Sequence, residues 1–214
     1  QHYLGHCLRH LGRFTAAEGA FTRLGYLRDW MVVGPFDNDQ NAGFMTAYPP
    51  EREPIELDRT YAGKLRQVGW RPVELFSPDG RVSLRALLDP SRWATAYLAT
   101  WVHSPASQDV AIRLAAYRGV KVWLNGQLLL ADDQARVAAL DQYAAGARLR
   151  SGWNSLLVKV CQRTGPWQLG LRLTAADGEP IGGLRTSTRP HPIGAAPAPD
   201  RDPLAAQTFE SWLA

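Results

Sequence analysis

An oxygen-rich loop holds the residues best suited to chemistry. Asp37, Asp39 and Asn41 alternate along it, and carboxylate and amide oxygens are the ligands that Ca²⁺ prefers. The spacing matches the start of an EF-hand loop, but Ala42 stands where such a loop needs its turn glycine. Acidic loop residues more often cap turns through hydrogen bonds to the backbone. We therefore predict turn capping here and keep a structural Ca²⁺ site as the alternative.

Three histidines lie at helical spacing near the start of the chain. His2, His6 and His10 fall at i, i+4 and i+8 on one face of a helix, a spacing that metal ions can use. The same segment holds no carboxylate or cysteine placed to complete a metal site with an open position. We expect these side chains to form a solvated face or to face a neighbouring helix.

Catalytic motifs are absent from the sequence. There is no Gly-x-Ser-x-Gly elbow, no phosphate-binding P-loop, no Gly-x-Gly-x-x-Gly and no Cys-x-x-Cys. The paired carboxylates Asp132 and Asp133 are adjacent, so on a strand they would point to opposite faces. We predict that the chain is not an enzyme and expect no cofactor beyond the alternative Ca²⁺.

Charge and hydropathy exclude two classes of partner. The net charge is +4, from 24 basic and 20 acidic residues that are scattered rather than clustered, which argues against a nucleic-acid surface. No apolar run approaches the ~18 residues of a membrane span. Without an initiator Met or a signal pattern at Gln1, we expect a piece of a longer protein. Cys7 and Cys161 are interpreted as two free, buried thiols, and a disulfide between them stays open.

The middle of the chain alternates apolar and polar residues at the period of β-strands. Residues 120–130 form two such runs on either side of Asn125-Gly126, a pair that favours a type I′ hairpin turn. Residues 152–160 form another run. A long strand over 93–103 carries Trp93, Tyr97 and Trp101 on one side. We expect that aromatic side to pack in the core rather than to form a ligand platform.

The sequence divides into four segments. Residues 1–28 have helical periodicity and predict a helical hairpin, and 29–180 predict a β-sandwich. Residues 181–203 are rich in Pro and Gly and are interpreted as a linker or wrapping tail, followed by a short helix over 204–214. The hairpin resembles the end of a tetratricopeptide repeat, on the order Leu4-Gly5, Leu8, Gly12, Phe14, Ala17, Phe21, Leu24.

The sandwich segment resembles galactose-binding-like jelly rolls. The resemblance rests on Trp-Leu-Asn-Gly at 123–126, on Leu-Arg-Ser-Gly-Trp-Asn-Ser-Leu-Leu-Val-Lys-Val at 149–160, and on the Trp-containing turn and Leu-Arg-Leu that follow. It implies a mainly β fold: an antiparallel β-sandwich with the helical hairpin before it and the short helix after it. Such domains are sugar-binding or accessory modules of glycoside hydrolases and of large bacterial proteins of the periplasm or cell surface.

The resemblance implies a non-catalytic binding module whose site lies in loops at one end of the sandwich. An exposed Trp would stack on a sugar there, and Asp or Arg would bind its hydroxyl groups. The candidate ligand-binding residues are Trp70, Arg118, Asp132, Asp133 and Trp167. Two other hypotheses stay open: a protein-interaction domain of an assembly, and an accessory domain of an enzyme whose catalytic part lies outside this chain.

Overall fold

The computed structural model describes residues 1–195 as two antiparallel β-sheets packed face to face, preceded by a helical hairpin. The strands are β1 (Met31–Asp37), β2 (Thr60–Ala62), β3 (Gln67–Gly69), β4 (Arg71–Pro72), β5 (Val82–Ser83), β6 (Ala94–Ser104), β7 (Gln108–Ala116), β8 (Val120–Leu124), β9 (Gln127–Asp132), β10 (Tyr143–Leu149), β11 (Gly152–Gln162), β12 (Gln168–Thr174) and β13 (Arg185–Ser187). The helices are α1 (His2–His10), α2 (Phe14–Thr22), α3 (Ala42–Met45), α4 (Pro49–Arg52) and α5 (Leu84–Leu87), with a 3₁₀ turn over Asp39–Asn41.

The larger sheet has the strand order β4-β1-β6-β11-β8-β9, and β13 pairs with the part of β6 that β1 does not reach. The smaller sheet has the order β10-β7-β12-β5, and β2 and β3 form a separate two-stranded ribbon. Every strand pair is antiparallel. The predicted mainly β, antiparallel β-sandwich fold is therefore confirmed.

Strand alternation builds the core between the sheets. Val120, Val122 and Leu124 of β8 point inward and lie opposite Val160, Val158 and Leu156 of β11, and all six are buried. The inward side chains of β7, β10 and β12 meet them from the other sheet. Each such aliphatic side chain contributes about 1.5–3 kcal/mol by leaving water.

The Asn125-Gly126 turn joins β8 to β9, as predicted. Asn125 has φ 51° and Gly126 has φ 82°, the positive values that a type I′ turn requires. The Asn125 amide also braces β11: its Oδ1 accepts a hydrogen bond from Ser155 N at 2.9 Å and its Nδ2 donates to Asn154 Oδ1 at 2.9 Å. The Asn125 side chain is therefore engaged in holding the fold.

The N-terminal helices α1 and α2 form the predicted hairpin. The chain turns between them at Gly12, whose φ is 72°. Gly5 lets the helices approach closely, because a Cβ at that position would lie 2.4 Å from Cε1 of Phe21. Phe21 and Tyr26 belong to a small buried cluster, and Tyr26 bridges to β12, which attaches the hairpin to the sandwich.

Strand β1 runs through Gly34-Pro35 to Asp37, because a register shift between Val33 and Phe36 accommodates the proline within the pairing to β6. One boundary differs from that predicted. Within the segment predicted as a linker or tail, β13 adds to the larger sheet. The predicted helix at 204–214 lies outside the described residues.

Both cysteines are free. Cys161 is buried in β11, and burial raises the pKa of its thiol to about 11. Cys7 is exposed on α1, so the prediction of two buried thiols is wrong for Cys7, and no disulfide joins the pair.

The outer face of the larger sheet carries a second apolar cluster. The chain between β1 and β4 folds back over this face and covers Tyr97 and Leu157 with Tyr61 and Trp70. As a result β6 is buried on both of its faces. The cover is incomplete beyond Trp101, and the uncovered part of the face is the floor of a groove.

Candidate functional site

The groove floor is formed by three neighbouring strands of the larger sheet. Trp101 of β6 lies opposite Ser155 of β11, and Leu157 of β11 lies opposite Trp123 of β8. The two tryptophans are separated by two strand spacings of about 4.8 Å and by two residues along the strands, which places their backbones roughly 12 Å apart. Trp101 is almost fully buried, whereas Trp123 is half-buried. The floor therefore presents aromatic surface with one hydroxyl between the rings.

Two chain segments form the walls of the groove and enclose a volume of about 370 Å³. The first wall comes from α4 and the residues after it, and the second comes from residues 190–193. The wall residues are Pro50, Glu51, Glu53, Pro54, Ile55, Pro190, His191 and Ile193. A volume of this size lies in the range of small-molecule binding sites, ~300–1,000 Å³.

The first wall is fixed by a lysine buried under the sheet's outer face. The side chain of Lys159 is 0% exposed, and its ammonium donates to Thr46 O at 2.7 Å, to Phe44 O at 3.2 Å and to Glu51 Oε1 at 2.5 Å. Burial lowers the pKa of Lys159, although the Glu51 carboxylate acts in the opposite direction. These bonds tie α3, α4 and the loop between them to β11.

Glu51 connects this network to the groove. Its Oε1 accepts hydrogen bonds from Lys159 Nζ and from the Tyr97 hydroxyl, while the residue also lines the groove wall. Burial, together with the Glu51 carboxylate, raises the pKa of Tyr97. Within residues 1–195 no donor bonds the second oxygen, Oε2. A carboxylate held in this way can accept a hydrogen bond from a ligand hydroxyl.

The second wall is fixed by an aromatic stack. The His191 ring lies parallel to the Trp153 ring, with 3.7 Å between centroids and 4° between planes, and His103 meets Trp153 edge-on at 5.2 Å. Gly194 N donates to Trp153 O at 2.7 Å. The residues after β13 are thereby held beside the groove.

The polar side chains of the Asp37–Asn41 loop are paired with basic side chains of the protein. Asp37 and Asp39 do approach each other, but the Lys64 ammonium lies between them, 2.8 Å from an oxygen of each. Asn41 Oδ1 accepts a hydrogen bond from Arg163 instead of facing the two carboxylates. The cation at these two carboxylates is therefore the protein's own lysine, which a Ca²⁺ ion would have to displace.

Two of the predicted sugar-binding tryptophans belong to the interior. Trp167 is 1% exposed and packs in the core between the sheets, and Trp70 is 8% exposed beneath the outer cover. Neither residue lines the groove described above. The prediction that they stack on a sugar is wrong, because a tryptophan beside a turn can equally well fill the end of a core.

The other predicted ligand residues lie at one end of the sandwich. Arg118 and Asp133 line a common cleft with Asn41 and Arg163, but its volume of about 10 Å³ is too small for a sugar ring. Burial raises the pKa of Asp133, although Arg163 acts against it. Asp132 accepts a hydrogen bond from Gln134 N at 2.6 Å and so caps a turn. These loops therefore meet at one end of the sandwich around a cleft that is too small for a sugar ring.

Sequence reasoning missed the groove. Its floor was signalled by alternation, since Trp101, Trp123 and Ser155 all fall on strand faces opposite the core positions. Its walls carried no such signal because residues 50–55 and 190–193 are far apart in the chain.

Among residues 1–195, no helix has the length and apolar character to cross a membrane.

No family model and no curated protein matches the chain. Among solved structures, it is similar to an anti-sigma factor domain-containing protein from Clostridium clariflavum, with 13% identity, a TM-score of 0.45 and coverage of 78% of this chain and 50% of that one. A β-glucosidase from Kluyveromyces marxianus in complex with glucose has 13% identity and a TM-score of 0.43, covering 68% of this chain and 16% of that one. A family 35 carbohydrate binding module from Clostridium thermocellum has 23% identity and a TM-score of 0.27, covering 36% and 69%. The chain thus spans half or less of the first two proteins.

Proposed function

We propose that this chain is a non-catalytic binding module that holds a carbohydrate in the groove on the outer face of the larger sheet. The observation that carries the proposal is the pairing of two tryptophans on the floor with a carboxylate, Glu51, on the wall. The galactose-binding-like jelly roll remains the proposed family of the sandwich.

The groove chemistry suits a sugar for two reasons. Sugars present apolar C–H faces that pack on aromatic rings, and a half-buried ring such as Trp123 supplies that surface at little entropic cost. Sugars also present rings of hydroxyl groups, which donate to carboxylates and exchange hydrogen bonds with a hydroxyl such as Ser155. A purely apolar ligand would leave the Glu51 oxygen without a partner.

A glycan panel measured by calorimetry tests this proposal. We expect at least one glycan to bind the wild type, and Trp123→Ala to weaken that binding by roughly tenfold or more, the loss typical of a central aromatic contact. Trp93→Ala is the matched control, because Trp93 is 37% exposed and does not line the groove. Equal affinity in the two variants, or no binding by the wild type, would refute the groove as a sugar site.

The proposal that the module is non-catalytic needs a separate test, since Glu51 and Glu53 both line the groove. Each carboxylate is paired, Glu51 with Lys159 at 2.5 Å and Glu53 with Arg59 at 2.6 Å. We expect no hydrolysis of chromogenic glycosides or of the best-binding glycan. Hydrolysis that disappears in Glu51→Gln would make the chain a glycosidase instead.

A second candidate function is protein interaction through the hairpin. Tyr3, Leu4, Leu11 and Phe14 are exposed large apolar side chains on α1 and α2 or in the turn between them. This supports the proposal that the hairpin is the terminal unit of a tetratricopeptide array, in which stacked units bury such surface. In this proposal the full-length protein is a bacterial periplasmic or surface protein. Its co-purification distinguishes a stoichiometric partner from none.

A further inference from the structure

We propose that His2, His6 and Asp79 form a zinc site that joins α1 to the turn before β5. One ring nitrogen of each histidine and one carboxylate oxygen of Asp79 lie within 4.8 Å of one another. The two histidines are one helical turn apart, and Asp79 comes from the sandwich, more than seventy residues later in the chain. The site would therefore span the contact between hairpin and sandwich.

The ligand types favour zinc over a harder cation. Two imidazoles and one carboxylate are a common ligand set for Zn²⁺, and three protein ligands leave the fourth tetrahedral position to water. With metal–ligand distances of ~2.0–2.1 Å, tetrahedral ligands stand about 3.4 Å apart. The donor atoms therefore need small side-chain rotations to close on the ion.

One of the histidines has a buried nitrogen without a partner. His2 Nδ1 is shielded from solvent and makes no hydrogen bond within the described part of the chain. A buried polar atom in this state has lost its hydrogen bonds to water without replacing them. The rings of His2 and His6 stand edge to face at 4.6 Å, and one nitrogen of each lies within 4.8 Å of the other and of an Asp79 oxygen. A bound ion would satisfy the nitrogen that the protein leaves unpaired.

The third ligand is held in position by its neighbours. Asp79 is 2% exposed, and its Oδ2 accepts from Arg81 Nε at 2.8 Å while its Oδ1 accepts from Ser77 Oγ at 2.5 Å. These contacts are of the kind that orient metal-binding carboxylates from outside the ligand shell. Both side-chain contacts of Arg81 fall on Oδ2. Oδ1 accepts from Ser77 Oγ and, at the longer distance of 3.4 Å, from Arg81 N, and an ion bound at Oδ1 would replace that longer contact.

The test is calorimetric titration of Zn²⁺ into untagged protein. A Cys7→Ser background removes the exposed thiol of α1, and an acetylated N-terminus removes the amine next to His2, since both groups can bind zinc. We expect one ion per chain. His2→Ala and His6→Ala should each weaken binding by at least about tenfold, because the loss of a residue that only orients a metal ligand already has that effect. His10→Ala is the matched control, an exposed histidine of the same helix outside the cluster.

A second measurement reports the position of the ion. Zinc should slow amide hydrogen exchange in α1 and in residues 77–80 together, and Asp79→Asn should abolish the coupled protection while His10→Ala keeps it. If Asp79→Asn does not fold, His2→Ala serves the same purpose. The proposal is overturned if zinc does not bind, if acetylation alone abolishes binding, or if His2→Ala and His10→Ala bind equally well.

Discussion

Lys159 Nζ lies 2.5 Å from Glu51 Oε1, and this buried ion pair joins the floor strand of the groove to its wall. The lysine side chain is fully buried and the glutamate is 8% exposed. Two backbone carbonyls accept the other hydrogen bonds of the lysine, and the Tyr97 hydroxyl also donates to Glu51 Oε1. Removing either charge alone would leave the other buried without a counter-ion. The position of the wall therefore depends on the intact pair.

Lys159→Met should destabilise the protein by about 3–5 kcal/mol, because it leaves the Glu51 carboxylate buried without its counter-ion. The double variant Lys159→Met/Glu51→Leu should lose clearly less, since it removes both charges and keeps apolar volume. Urea unfolding of the three proteins measures the difference. A double variant as unstable as the sum of the single variants would show that the two residues are not coupled.

Gly5→Ala should destabilise the helical hairpin by roughly 1–3 kcal/mol, the usual effect of overpacking. The added methyl group would lie 2.4 Å from the Phe21 ring, so α1 must move away from α2. Gly19→Ala is the matched control in α2, where the nearest atom would be 3.8 Å away and alanine favours the helix by about 0.5–1 kcal/mol. Hydrogen exchange of the helical amides measures the stability of the hairpin in both variants. Equal changes in Gly5→Ala and Gly19→Ala would contradict the observed packing.

Lys64→Met should raise the pKa of Asp37. In the wild type, burial acts to raise this pKa, but the hydrogen bond and charge of Lys64 outweigh it and hold the pKa below its usual value. The stabilising effect of the pair is therefore present above the usual carboxyl pKa and is lost as the pH falls through the lowered one. Carboxyl carbon NMR follows Asp37 directly, with Lys64→Arg as the charge-conserving control. An unchanged Asp37 titration in Lys64→Met would contradict the ion pair.

The architecture was predictable because period-two alternation and turn chemistry are local signals. Asn125-Gly126 marked a hairpin through the positive φ of both residues, and the alternation over 152–160 marked a strand. The helical hairpin was readable from apolar spacing and Gly12. None of these predictions required knowledge of which segments meet in space.

The site was not predictable in the same way. Alternation shows that Trp101 lies opposite the core positions of β6, but not whether a loop covers it or leaves it beside a groove. In the sequence, Trp93 appeared to share the face of Trp101. In the structure, Trp93 has a φ of 50° and lies just before β6 begins at Ala94. Trp167 was taken as exposed and is core. Such differences depend on long-range packing, which a single sequence does not encode locally.

The zinc ligands illustrate the same limit. His2 and His6 were recognised as a pair with metal-compatible spacing, and the missing third ligand was sought nearby in the chain. Asp79 completes the group only because the turn before β5 folds against α1. When the ligands come from two distant segments, the sequence contains no characteristic spacing that would reveal the complete set.

The most direct test of the carbohydrate groove is a ¹H–¹⁵N spectrum of the indole N–H groups, recorded while the best-binding glycan is titrated. The groove account predicts shifts for Trp123 and Trp101, which line the floor, and none for Trp30 and Trp167, which are buried between the sheets. Trp93, which is exposed elsewhere, should also remain unshifted. Shifts centred on Trp93, or a bound glycan that leaves Trp123 and Trp101 unchanged, would contradict it.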